Sequence, residues 1–233
     1  MTITPKPVSK FKRLDKELVS RGLVASIERA KTLVMNGAVR VNGAPITAIH
    51  CPINPDHKIE ISGIDCPWVS KDAIKLFETL KAIKLDVRGL TALNLGAGAG
   101  GFEDVLLQNG AKKIYAVERD MHKLDPSLSL NKRIKNLQRV EASSLNKDAI
   151  DKDFDLLIAD IGHDNLIANI TPALSLSMTG FYILIFIDDK NAAKDIEKFL
   201  RLEQRCLAKK VPEKLQKFLD EQGSYLIWMQ KKA

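Results

Sequence analysis

The sequence predicts an α/β protein: a mostly parallel, Rossmann-like sheet preceded by a small, separate α/β unit. Three observations carry this. Residues 91–102, TALNLGAGAGGF, run from a short apolar stretch into a glycine cluster and then into the helical pattern Phe102, Val105, Leu106, Leu107. Short apolar runs then alternate with helical or polar segments to the end of the chain, the signature of βα units. Residues 1–60 differ in composition: they carry ten basic and five acidic side chains, most of the chain's net charge of +7.

Residues 1–10 hold two prolines and two lysines and read as a flexible leader. Phe11, Leu14 and Leu18 then recur at helical spacing, and Gly22 stops that helix. SIERAKTLVMNG reads as a second helix, with Ser26 as N-cap, Gly37 at the stop, and Ile27, Ala30, Leu33 and Val34 facing inward. Val39 and Val41 flank Arg40 in strand alternation, and Asn42-Gly43 is a hairpin turn signal. HKIEISG supplies another short strand. The first folded unit is thus placed at residues 11–65, and Cys66-Pro67 opens the second, 66–233.

In the second unit Ile74, Phe77, Leu80 and Ile83 define a helix. The glycine segment follows, then strand candidates in AKKIYAVE, KNLQRVEA, DFDLLIAD and GFYILIFID. A helical pattern from about Asn191 to Lys210 includes Arg201 and Arg205. VPEKLQKFLDEQG is a last helix, with Pro212 near its start and Gly223 at its stop, and SYLIWMQ is a closing strand.

Strand, glycine turn and helix bring backbone N–H groups against a nucleotide-like ligand. A Cβ would block both the turn and that approach. Glu118 ends the next apolar run, 22 residues beyond Gly96, where an acid can accept the hydroxyls of an adenosine ribose. Gly96, Gly98 and Gly101 also satisfy GxGxxG, so a nicotinamide site fits the motif alone. Asp160 ends DFDLLIAD, facing the crevice where doubly wound sheets bind ligands.

Cys51, Cys66 and Cys206 are scattered, which argues for a reducing, cytoplasmic setting and against a disulfide framework or a metal site. No window holds about 18 uninterrupted apolar residues, so no membrane span is expected. Lys12, Arg13, Arg21, Arg29, Lys31 and Arg40 fall around the polar side of the first unit. That distribution suits either a solvated face or a surface that reads folded RNA through its phosphates. No interleaved aromatics are present for base stacking.

RLDKELVSRGLVASIERAKTLVMNGAVRVNG resembles the RNA-binding domain first described in small-subunit ribosomal protein four. It departs at Ile27, where that family usually has arginine, and Arg29 lies roughly 200° around the helix. The unit that follows, with its closing helix and strand, resembles the S-adenosylmethionine-dependent methyltransferase fold, whose last strand inserts antiparallel. Together they resemble the TlyA/hemolysin A family of ribosomal RNA ribose 2′-O-methyltransferases, with an FtsJ/RrmJ-type catalytic domain, over residues 12 to about 190.

The resemblance implies S-adenosylmethionine as cofactor, and RNA or a ribosomal subunit as partner. It assigns Gly96, Ala97, Gly98 and Gly100 to the methionine side, Glu118 to the ribose, and Glu141 and Ala142 to the adenine. Asp160 would lie beside the methyl. Of the Lys-Asp-Lys-Glu catalytic set it matches Lys75 and Asp160; the second lysine falls on Phe186, and GSYLIWM lacks the closing glutamate. Asn94 stands where an aspartate is usual, and VSKDAI replaces YVSRGG. His163 is a further loop candidate for a base. The expected function is RNA methylation; the alternatives are a catalytically impaired RNA-binding protein that still holds cofactor, and a nicotinamide-dependent oxidoreductase.

Overall fold

The computed structural model describes residues 11–24, 27–35, 37–61, 68–121, 124–162, 164–177 and 180–232. The chain divides into two compact units, Met1–Pro67 and Trp68–Ala233. Ser26 and His163, read above as a cap and a candidate base, lie outside the described residues.

The first unit runs β1 (Lys12–Arg13), α1 (Leu14–Ser20), α2 (Ile27–Met35), β2 (Val39–Val41), β3 (Ala44–Pro45), β4 (Pro52–Ile53) and β5 (Ile59–Ile61). Leu14, Leu18, Ala30, Val34, Val39, Val41 and Ile53 form its core. Phe11 departs from the expected helical stripe and is 56% exposed. The chain there is extended, because Lys12 and Arg13 pair with Ile53 and Pro52. The helix therefore begins at Leu14. Asn42 and Gly43 take φ of 50° and 84°, the left-handed pair that a two-residue hairpin demands, and Val41 pairs with Ala44 across it.

The second unit comprises α3 (Ala73–Ile83), β6 (Thr91–Leu95), α4 (Gly101–Gln108), β7 (Lys113–Glu118), α5 (Pro126–Ser129), β8 (Ile134–Gln138), β9 (Leu156–Ala159), α6 (Leu166–Leu176), β10 (Phe181–Ile187), α7 (Lys190–Leu202), β11 (Leu207–Ala208), α8 (Glu213–Glu221) and β12 (Tyr225–Lys231). The sheet has seven strands in the order β11-β12-β10-β9-β6-β7-β8. β8, β7, β6, β9 and β10 are parallel, while β12 runs antiparallel beside β10 along the seven pairs from Phe181↔Lys231 to Ile187↔Tyr225. All four residues of β9 are buried, since helices cover both faces of a parallel sheet.

Two expectations shift. The buried face of α3 is Ala73, Leu76, Thr79 and Leu80, so of Ile74, Phe77, Leu80 and Ile83 only Leu80 lies on it. Phe77 instead lies beside Trp68, with ring centroids 4.8 Å apart. The helical pattern drawn to Lys210 ends at Leu202. Arg205 turns left-handed at φ 53°, and Leu207 and Ala208 pair with Gln230 and Met229. Edge-strand hydrogen bonds there override a merely permissive helical propensity.

Candidate active site

The glycine segment joins β6 to α4 in left-handed backbone: φ is 88° at Gly96, 53° at Gly98 and 96° at Gly100. Gly96 has a second constraint. A Cβ there would lie 2.6 Å from the Asp160 carbonyl oxygen and 2.7 Å from the Ile161 side chain. The absence of that atom lets β6 and the loop after β9 close on each other.

Beside this loop opens a cleft of about 550 Å³, within the usual range of roughly 300–1,000 Å³ for a small-molecule site. Gly96, Ala97 and Gly98 line one side, Glu118 another, and Glu141, Ala142 and Asp160 complete it. Glu118 accepts from the Gly98 N–H at 2.9 Å and from the Asp120 N–H at 3.0 Å. It therefore also fixes the loop, with acceptor capacity left over. Gly100 does not line the cleft; its missing Cβ makes room for Leu124 and Leu128, 2.6 and 2.5 Å from where that atom would be. Gly101 lines the cleft instead.

A second, smaller pocket adjoins the first through Asp160 and is lined by Lys75, Phe186, Asp188, Gln222 and Ser224. Where the two meet, Lys75 Nζ donates to Asp160 Oδ2 at 2.6 Å. α3 and the end of β9 bring these side chains together across 85 residues of sequence. Burial pushes the Asp160 carboxyl above the ordinary carboxylate range; Lys75 opposes the rise, and the charges of Asp72 and Asp188 add to it. The Lys75 ammonium also lies 5.0 Å from the Phe186 ring centroid and 5.7 Å from that of Phe102, and these two rings are 5.4 Å apart. A carboxylate and two aromatic faces thus surround one cation.

The profile of the FtsJ-like methyltransferases matches residues 68–218. The chain belongs to the FtsJ-like methyltransferase family. An S4 domain profile matches residues 12–55. Mycobacterium tuberculosis 16S/23S rRNA (cytidine-2'-O)-methyltransferase TlyA is 35% identical over 163 residues, covering 70% of this chain and 60% of that protein. The chain thus spans 60% of that relative's length. A Streptococcus thermophilus structure described as a hemolysin aligns with TM-score 0.58 at 20% identity, covering 97% of this chain and 90% of its own. A Thermotoga maritima S-adenosylmethionine-dependent O-methyltransferase aligns with TM-score 0.51 at 18% identity, covering 76% and 74%. Both share the fold.

In this FtsJ-like unit Phe186 is fully buried on β10, opposite Leu226 of β12. Of the polar residues that follow β10, Asp188 lines the second pocket. Asp189 is used as the cap of α7, accepting from the Ala192 N–H at 2.6 Å. Lys190 lies 6.0 Å from the Tyr225 ring centroid.

Sequence reading missed a buried pair beneath the glycine loop. Asn94 on β6 donates to Glu103 of α4 at 2.7 Å, both wholly buried. The remaining oxygens, Asn94 Oδ1 and Glu103 Oε2, have no hydrogen-bond partner among the described residues. Burial raises the Glu103 carboxyl to about 7. A proton on Glu103 supplies the donor that this pair lacks. In sequence an acid in the first turn of a helix reads as an ordinary complement to the helix dipole, so nothing marked Glu103 as buried. Ser70 and Asp72, within the VSKDAI stretch, also line the cleft.

The S4-type unit uses several of its expected RNA-binding cations internally. Arg13 grips the buried Asp15 through two hydrogen bonds of 2.7 and 3.1 Å. Arg21 pairs with Glu17 at 2.8 Å and donates to the carbonyls of His57, Asn54 and Pro55. Lys12 also reaches Glu17, at 3.1 Å, and Arg40 donates to the Gly43 carbonyl. Arg29 and Lys31 lie on α2, both half-buried.

Proposed function

We propose that this chain transfers a methyl group from S-adenosylmethionine to a ribose hydroxyl of ribosomal RNA. The observation that carries the reading is the Lys75–Asp160 pair, 2.6 Å apart, standing where a cofactor-sized cleft meets a second pocket. The cleft fits the cofactor on its own terms: left-handed glycine backbone gives close approach, and Glu118 retains acceptor capacity for a ribose. The cofactor supplies an electrophilic methyl on a sulfonium centre. Asp160 and Lys75 would hold the acceptor hydroxyl in line with it; as the oxygen–methyl bond forms and the sulfur–methyl bond breaks, leaving the thioether, Asp160 would take the hydroxyl proton and Lys75 would stabilise the charge that develops on oxygen. The S4-type unit would bring the RNA, and an rRNA substrate would place the protein in the cytoplasm.

The test is incubation with ribosomal subunits and methyl-labelled cofactor. Label in ribosomal RNA is expected; none would remove the enzymatic half of the reading.

Phe186 favours a second reading, an RNA-binding protein that keeps the cofactor but not the transfer. The family resemblance would put a lysine where this chain has the apolar ring of Phe186, and a glutamate in the closing segment that holds buried Ser224. Turnover abolished by Asp160→Ala alone would sink this alternative. The nicotinamide reading explains neither the antiparallel β12 nor the S4-type unit. Calorimetry with S-adenosylmethionine against NAD separates it directly.

A further inference from the structure

We infer that the outer face of α7 is a second RNA-backbone contact, on the catalytic unit itself, leading away from the second pocket. The inference rests on the RNA reading above.

Lys190, Lys194, Lys198 and Arg201 are all exposed. At 100° per residue they fall within a sector of roughly 80°, on the side opposite the buried Ile196 and Leu200. Successive lysines rise about 6 Å along the axis, and the whole row spans roughly 17 Å. Glu197 shares the face and draws on Arg201 at 3.5 Å; Lys194 and Lys198 form no ion pair among the described residues.

A row of lysines on a helix is often only a solvated face. Two observations raise this one above that. The first is where the charge lies. Residues 190–214 hold eight cations and four acids, whereas the rest of 68–233 holds 18 cations and 19 acids. The whole cationic excess of this unit is gathered in α7 and the segment after it. The second is position. α7 starts three residues after β10 ends, and Asp188, in that short link, lines the second pocket. A polyanion whose nucleoside enters that pocket therefore meets Lys190 first and the rest of the row beyond it. Compact lysine charges fix a phosphate backbone without reading bases, so the contact adds affinity and orientation rather than sequence choice.

The experiment compares two triple variants of the full chain in titrations of a labelled RNA hairpin at several salt concentrations. One is Lys194→Gln, Lys198→Gln, Arg201→Gln. The other, Lys112→Gln, Lys132→Gln, Lys152→Gln, removes three exposed lysines at the opposite, N-terminal ends of the strands. The α7 variant is expected to bind at least about tenfold more weakly at low salt, with a log–log salt slope shallower by about 2. The control should match the parent chain. Cofactor affinity by calorimetry should be equal in all three, which keeps a folding defect apart. If the triple variant melts early, Lys194→Gln and Lys198→Gln singly should each lower the slope by roughly 0.7. Equal losses in both triple variants, or none in the α7 variant, would overturn the inference alone. No RNA binding by the parent chain would overturn the RNA reading and this inference with it.

Discussion

Asp160 is held by two opposed influences: burial disfavours its charge, and an ammonium 2.6 Å away favours it. Asp160→Asn removes the acceptor but keeps the shape. Methyl transfer should fall about a hundredfold or more, while calorimetry should show cofactor affinity within about threefold of the parent. Glu103 is a simpler case, because its rise to about 7 has burial as its largest cause. Folding takes up a proton there, so the stability contribution is complete below about pH 4.5 and is lost as pH climbs through about 7. Glu103→Gln should flatten that slope and leave the variant roughly 3 kcal/mol more stable than the parent at pH 8, read by denaturant melts. Arg21 shows how a residue's role escapes sequence reading. It reads as a phosphate contact, yet it clamps three carbonyls and Glu17. Arg21→Ala should destabilise the S4-type unit by about 2 kcal/mol, visible as earlier hydrogen exchange at Asn54 to His57 even without RNA.

The glycine segment was legible as an element because strand, turn and helix need different residues in fixed order. Which glycine serves which purpose was not. Gly96 and Gly100 both adopt positive φ, but one meets the Asp160 backbone and the other the Leu124 and Leu128 side chains, and those neighbours come from elsewhere in the chain. Gly96→Ala combines a disfavoured φ with a clash against backbone that cannot rotate away. It should weaken cofactor binding more than tenfold, by order of magnitude, and lower the melting temperature. Gly98→Ala, with nothing within 4 Å, should cost less in the same melt. α3 was found by its period, but of the residues that marked it only Leu80 lies on the buried face, since apolar residues nearly encircle it and only the packed neighbours choose Leu76 over Ile74.

Across the second unit, β12 completes the sheet by pairing with β10 along its full length. Ending the chain before Tyr225 would expose the edge of β10 and uncover Ile183 and Ile185, both wholly buried. Such a truncation should lose cooperative melting and aggregate. The sequence by itself determined the strands of the parallel sheet, the glycine turn, the acid that ends β7 and the acid just after β9, because local periodicity and backbone need leave direct marks on composition. It could not determine that Lys75 meets Asp160, that aromatic rings flank that lysine, that Glu103 is buried with Asn94, or that Arg21 is used internally. Those outcomes belong to tertiary packing: they depend on which distant atoms share one dry volume, and burial, unlike periodicity, is a property no single stretch of chain possesses.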